Sequence, residues 1–345
     1  MNQDSISFGY AVFLLLVVDF HFVDARTDVL SDDKIVGGRI ASNIPFLVSI
    51  QKRDSHNCGG SLISMTIIQT ACHCVGDYKP SPKNPDIELP DLDDPSEYEI
   101  VAGDFDLRVR SHRTQKRTVH EMLPHPACVK ILGTLQWDFA IMTVKKAFVL
   151  TKFVKTTKLF TMNKKTFEEK IASYQGNKKK SCWVMGWGKA VLTAQGAATS
   201  RYLKAVQMRI ITDDECRYYL SQQNPFYVNY SFGERAQMCA VGLKWAESDC
   251  QGDSGGPVYC KGHLLGTVSY GFDCGRGDQP AVYTKLSEFL SWYKSFKHTG
   301  EARDSVMSLQ PWSCRFIISI VLSVRAVQHY FMYSRRAKYC RFKIT

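Results

Sequence analysis

The chain has no apolar run long enough to cross a membrane. Residues 8–18, Phe-Gly-Tyr-Ala-Val-Phe-Leu-Leu-Leu-Val-Val, fall short of the ~20 residues that a spanning helix needs. Residues 316–324 are also apolar, but Arg325, Gln328 and His329 interrupt the run. An arginine within a spanning helix costs about 3 kcal/mol, which argues against membrane association of the tail. No internal repeat is present, which excludes solenoids and propellers. No nucleic-acid-binding signature accompanies the formal net charge of +11, so the charge alone does not point to nucleic acid. Acid is scarce in one stretch. Lys145, Lys146, Lys152, Lys155, Lys158, Lys164, Lys165, Lys170, Lys178, Lys179 and Lys180 face only Glu168 and Glu169. Such a run reads as a solvated face or as a site for a heparin-like polyanion.

What is present points to an exported protein. The apolar run at 8–18 suits the core of a secretory signal, although Asp4 precedes it and no Lys or Arg does. Cleavage after Ala25 gives a signal peptide of residues 1–25. Twelve cysteines indicate an oxidising compartment, though their connectivity does not follow from spacing. An apolar content of 45% is enough for a core. Strand-like runs such as Phe46-Leu47-Val48-Ser49-Ile50 and Val258-Tyr259, divided by Gly and Pro turns, predict an all-β fold.

Three motifs carry chemistry. Cys250-Gln251-Gly252-Asp253-Ser254-Gly255-Gly256-Pro257 surrounds one serine with glycines, so its backbone can turn tightly and its amides can approach a substrate. A serine hydroxyl is a weak nucleophile until a base removes its proton. Thr70-Ala71-Cys72-His73-Cys74 supplies a histidine. Trp137-Asp138-Phe139-Ala140-Ile141-Met142 embeds an aspartate in an apolar, strand-like segment, where a carboxylate has to be paired or hydrogen-bonded.

The order His73, Asp138, Ser254, with these flanks, resembles the chymotrypsin/trypsin family of serine endopeptidases. Ile35-Val36-Gly37-Gly38, Cys182-Trp183-Val184-Met185-Gly186-Trp187-Gly188, Val268-Ser269-Tyr270-Gly271 and Pro280-Ala281-Val282-Tyr283-Thr284-Lys285 extend the likeness over residues 35–298. The resemblance implies two six-stranded antiparallel β-barrels and a C-terminal α-helix. Leu286, Phe289, Leu290 and Tyr293 have helical spacing. The helix is expected to pack on the second barrel and to end near Lys297.

By resemblance, Ser254 attacks the scissile carbonyl, His73 takes its proton, and Asp138 orients and stabilises the imidazolium. The N–H groups of Gly252 and Ser254 form the oxyanion hole. Each such donor is worth about 3–4 kcal/mol in the transition state. An acyl-enzyme forms and water hydrolyses it. Residues 26–34 read as an activation propeptide. Cleavage after Lys34 would free the α-amino group of Ile35 to pair with Asp253. The implied partners are protein or peptide substrates, an activating trypsin-like protease and protein inhibitors. No cofactor, metal or nucleic acid is implied.

The family pattern implies the bridges Cys58–Cys74, Cys182–Cys260, Cys216–Cys239 and Cys250–Cys274. Cys72, Cys128, Cys314 and Cys340 are left over. Cys72 stands where the family usually has alanine. It either pairs with Cys128 or remains a free thiol. A Cys-His-Cys metal site is disfavoured, because zinc needs three or four convergent ligands and His73 already has a role.

Departures from the family lie around the substrate. The expected pocket residues are Ser248, Asp249, Ser269, Gly271 and Ala281. Ser248 occupies the position that is aspartate in trypsins, Asp249 adds a carboxylate next to it, and Ala281 replaces a glycine. Either Asp249 pairs with a substrate Lys or Arg, or the pocket is shallow and takes small or apolar side chains. Residues 76–99 carry five prolines (Pro80, Pro82, Pro85, Pro90, Pro95) and eight acids. They are expected to form an exposed, extended loop without a core, beside the histidine, and to favour basic substrate segments. Asn229-Tyr230-Ser231 is an N-glycosylation sequon. Residues 299–345 match nothing in the family. The sequence thus predicts a secreted, zymogen-activated serine endopeptidase, with a non-catalytic homologue that binds partners as the alternative.

Overall fold

Two closed six-stranded antiparallel barrels make up most of the structure. The computed structural model describes residues 38–41, 43–189, 199–245, 247–276 and 279–294. The signal peptide, the propeptide with Lys34 and Ile35, Cys314, Cys340, Lys297 and the 299–345 tail lie outside them.

The first barrel runs Leu47–Lys52, Ser55–Leu62, Ile67–Thr70, Tyr98–Ala102, Gln115–Pro124 and Ala140–Val144. Val48, Ile50, Leu62, Ile68, Ile100 and Met142 fill its centre. Fully burying such a side chain contributes about 1.5–3 kcal/mol. Close strand approach fixes Gly60 here. A Cβ at that position would lie 2.8 Å from Ile68 Cγ2.

The second barrel comprises Cys182–Gly186, Lys204–Ile211, Gln237–Gly242, Pro257–Cys260, His263–Tyr270 and Ala281–Lys285. Arg39–Ile40 adds to its Lys204–Ile211 strand. Two short helices precede strands of this barrel. Lys164–Ala172 is capped by Asn163 and buries Phe167 and Ile171 one turn apart. Asp213–Ser221 is capped by Thr212 and buries Cys216 and Leu220. The chain then turns through Leu286–Phe289 and remains helical to residue 294. Among the described residues, no helix is long and apolar enough to cross a membrane.

Residues 76–99 differ from the expected extended loop. Gly76–Ser81 and Asn84–Leu92 pair as a hairpin. With Val129–Ile131 and Thr134–Gln136 they form a four-stranded sheet separate from both barrels. The prolines are tolerated because Gly76–Ser81, with Pro80, is an edge strand. Pro90 lies past Ile87 and Glu88, the residues that pair with Val129–Ile131. The acids do not repel one another freely, because lysines answer them. Lys79 reaches Asp91 at 2.6 Å, Lys130 reaches Glu88 at 3.0 Å, and Lys52 reaches Asp93 at 2.6 Å. Tyr98, at the end of this stretch, is a buried strand residue of the first barrel.

Among the described residues five disulfides staple the fold. Cys58–Cys74, Cys182–Cys260, Cys216–Cys239 and Cys250–Cys274 follow the pairing that the resemblance implied. Cys72 and Cys128 are bridged rather than free.

Candidate active site

His73 sits in a single helical turn, Cys72–Cys74, directly after the strand Ile67–Thr70. Cys74 ties that turn to Cys58 on the neighbouring strand. Asp138 lies two residues before its strand begins at Ala140, not within it, and Trp137 takes a positive φ of 53° to turn the chain there. The carboxylate is only 1% exposed and is held by three donors. The His73 backbone N–H donates to Oδ1 at 2.9 Å, His73 Nδ1 donates to Oδ2 at 2.8 Å, and the Ser269 hydroxyl donates to Oδ2 at 2.5 Å. Thr284 Oγ1 also donates to the Asp138 carbonyl at 2.9 Å.

A carboxylate can only accept, so Nδ1 carries the proton and Nε2 of the neutral ring is the free base. Burial favours the neutral forms of both partners. The charge and hydrogen bonds between them outweigh it, so the Asp138 pKa falls below and the His73 pKa rises above its usual value.

The serine loop is clamped between the barrels. The Ser254 carbonyl accepts from Gly59 N–H at 2.8 Å in the first barrel, and Gly255 N–H donates to Val268 at 2.9 Å in the second. Gly252 and Gly255 have φ of +100° and +76°, conformations that suit glycine. A Cβ on Gly255 would stand 2.1 Å from Thr70 Oγ1 and 3.2 Å from Ala71 N. The partly exposed Ser254 therefore lies on a loop that abuts the residues leading into His73.

Asp253 points the other way. Its Oδ1 accepts from Gly188 N–H at 2.7 Å and its Oδ2 from Cys250 N–H at 2.9 Å. Burial pushes its pKa up to about 7.

Of the expected pocket residues, Ser269 and Ala281 lie on strands of the second barrel. Ser248 Oγ accepts from Gly275 N–H at 2.5 Å. Asp249 is buried and accepts from the Tyr283 hydroxyl, and burial raises its pKa. Ala281 flanks Gly271, whose Cβ position would be 3.8 Å away. Ser269 gives its hydroxyl to Asp138 rather than to the pocket.

The sequence reading missed a second histidine. The Gly252 carbonyl can only accept, so His56 Nε2 donates to it at 2.9 Å and Nδ1 accepts from Ser49 Oγ at 2.8 Å. Burial lowers the His56 pKa to about 4, which keeps the ring neutral. Its one sequence signal is its place two residues before Cys58.

The groupings Cys58, His73, Cys74 and Cys72, Cys128, Asp138 hold no thiolate. Cys58, Cys72, Cys74 and Cys128 are all spent in disulfides.

Beside His73 opens a cleft of about 860 Å³. The four-stranded sheet lines one side and Tyr227, Tyr270, Gly271 and Phe272 line the other.

The family model described as Trypsin matches residues 35–293. The chain belongs to the trypsin family of serine proteases. It is 28% identical to a trypsin of Sus scrofa over 264 residues, 76% of this chain and 94% of that protein. It is 28% identical to an anionic trypsin of Canis lupus familiaris over 283 residues, 81% and 96% of the two chains. It is 29% identical to trypsin-4 of Rattus norvegicus over 266 residues, 76% and 90% of the two. The two barrels and four of the five disulfides among the described residues are those that the resemblance implied. The four-stranded sheet at 76–136 and the Cys72–Cys128 bridge elaborate the side of the cleft that His73 occupies.

Proposed function

We propose that the chain is a secreted serine endopeptidase, synthesised as an inactive precursor and activated by cleavage after Lys34. The supporting observation is the buried Asp138 carboxylate. It accepts the Nδ1 proton of His73 and so leaves Nε2 free as a base, in a turn whose preceding residue Ala71 lies against the serine loop.

In the proposed cycle, Ser254 Oγ attacks the scissile carbonyl and its proton passes to His73 Nε2. Asp138 stabilises the imidazolium. The oxyanion forms against the N–H groups of Gly252 and Ser254. His73 then protonates the leaving amine, and water repeats the attack on the ester. Asp253, with two backbone donors, is the buried carboxyl that the new Ile35 ammonium would meet. Ion pairing there would offset the desolvation that raises its pKa.

In the primary pocket we assign Asp249 to a substrate Lys or Arg. The Tyr283 hydroxyl already binds one of its oxygens. A cation arriving on the other side would offset the cost of burying the carboxylate.

The test is labelling with an active-site fluorophosphonate before and after cleavage at Lys34, alongside Lys34→Gln. Label on Ser254 only in the cleaved wild type is expected. An unlabelled cleaved protein would refute catalysis, and a fully active Lys34→Gln would refute the precursor.

A further inference from the structure

We infer that the first barrel carries, outside the cleft, a docking surface for an extended acidic peptide segment of a protein partner. It lies where residues 113–118 meet residues 145–153. Arg113, Lys146 and Lys152 meet the carboxylates of that segment, and Val149 and Leu150 meet its apolar side chains. The inference goes beyond the proposed endopeptidase function and does not depend on it.

The structure divides the lysine run of 145–180. In its second part Lys164 pairs with Glu288 at 2.6 Å, and Lys170 and Lys180 lie over the Tyr174 ring. In its first part Lys145, Lys146 and Lys152 are exposed and form no ion pair among the described residues. A second basic stretch, Arg113-Thr114-Gln115-Lys116-Arg117, runs alongside. Lys145 N–H donates to the Thr118 carbonyl at 3.2 Å, and Arg117 Nε donates to the Ala147 carbonyl at 3.0 Å. Gln115 pins Val149 twice. Its side-chain amide donates to the Val149 carbonyl at 2.7 Å, and its Oε1 accepts from Val149 N–H at 2.8 Å. The acids near this stretch are already engaged. Asp54 and Glu99 hold Lys116, and Asp104 accepts from the Thr114 hydroxyl at 2.6 Å and reaches Arg110 at 3.7 Å.

Arg113 and Lys152 converge on one ring. Their cationic groups lie 4.0 and 5.0 Å from the centroid of Phe153. Each gains from the ring face, but the two like charges repel, and neither forms an ion pair among the described residues. A carboxylate arriving from solution would bridge them. In the same segment Val149 is 61% exposed and Leu150 52%. The Gln115 bonds hold that segment, so both side chains are presented in place. Covering apolar surface is favourable, and complementary charge guides and selects the partner. A sulfated polysaccharide would satisfy the cations and leave Val149 and Leu150 bare. A peptide that interleaves acids with apolar side chains satisfies both. None of these residues lines the cleft beside His73.

The test follows the fluorescence anisotropy of a labelled decapeptide of Glu interleaved with Leu, added to the full uncleaved chain. Saturable binding is expected at about 50 mM salt, weakening at least about tenfold at about 500 mM. Arg113→Ala/Lys152→Ala should weaken it at least about tenfold. Leu150→Ser should weaken it at least about threefold, as should replacing every Leu of the probe by Ser. Should the double variant not fold, Lys146→Glu decides, since it alters an exposed side chain. It should cost at least about fivefold, and unchanged binding overturns the surface. Absence of saturable binding, or equal binding by wild type and variants, overturns it too. Equal binding of the Glu/Ser peptide makes this a general polyanion site and overturns the peptide assignment. So does a heparin fragment that binds at least as tightly as the probe and shares its loss in the charge variants.

Discussion

Replacing Ser269 by alanine removes one of the three donors on Asp138, the hydroxyl 2.5 Å from Oδ2. The carboxylate is 1% exposed, so water cannot take the place of the lost donor without opening the barrel interface. A hydrogen bond to a charged group contributes about 1.5–3 kcal/mol. At 1.36 kcal/mol per unit, its loss should raise the Asp138 pKa by about 1–2 units. The Asp138 pKa is depressed in the folded chain. Its contribution to stability is therefore present above the unfolded carboxylate pKa and is lost as pH falls through the folded value. Ser269→Ala should destabilise the protein by about 1.5–3 kcal/mol at pH 7, and the deficit should shrink towards pH 3, as acid approaches the depressed value of Asp138. Urea unfolding with disulfides intact, at both pH values, measures this. A deficit below about 0.5 kcal/mol at pH 7, within the range of an ordinary surface substitution, would refute the reasoning. So would one that is the same at pH 3.

Three further outcomes are expected. In the uncleaved chain Asp253 has its pKa raised to about 7, against an ordinary value near 4. Stability should fall by on the order of 4 kcal/mol as pH rises from 4 to 7, and Asp253→Asn should flatten that slope in calorimetric scans. Gly255→Ala would place an L residue at φ +76° with its Cβ on Thr70 Oγ1. The left-handed backbone alone costs about 1–2 kcal/mol, and slower fluorophosphonate labelling with a lower melting temperature would register it. Asp249→Ser should reduce kcat/KM for substrates with Lys or Arg before the bond by at least about 100-fold, while apolar substrates lose less. A peptide library read at that position checks the ratio, and an unchanged ratio removes Asp249 from recognition.

Local signals in the sequence were enough for the strands, while their closure into two barrels was implied by the resemblance. The run from Phe46 to Ile50 is continuously apolar but for Ser49, and it became the buried part of a strand. The Asp-Ser-Gly turn likewise needs its glycines at positive φ, a requirement visible in the residue types. What was misread depends on partners far along the chain. The acids and prolines of 76–99 look like a solvated loop until Val129–Ile131 arrives to pair with them and Lys79, Lys130 and Lys52 neutralise them. The Cys72–Cys128 bridge spans 56 residues, a separation that carries no pairing rule. Asp249's engagement with Tyr283 has no local signature, and His56's with Gly252 has only the nearness of Cys58. Asp249 meets Tyr283 on a strand of the second barrel, whereas His56 on the first barrel meets a loop joined to the second.

Asp138 takes its histidine from one barrel and its serine and threonine from the other. Neither half of the chain can assemble this ionised group alone. Under the proposed function, a half-folded molecule has no complete site, independently of any propeptide, and the site is finished only when the two barrels meet at Asp138.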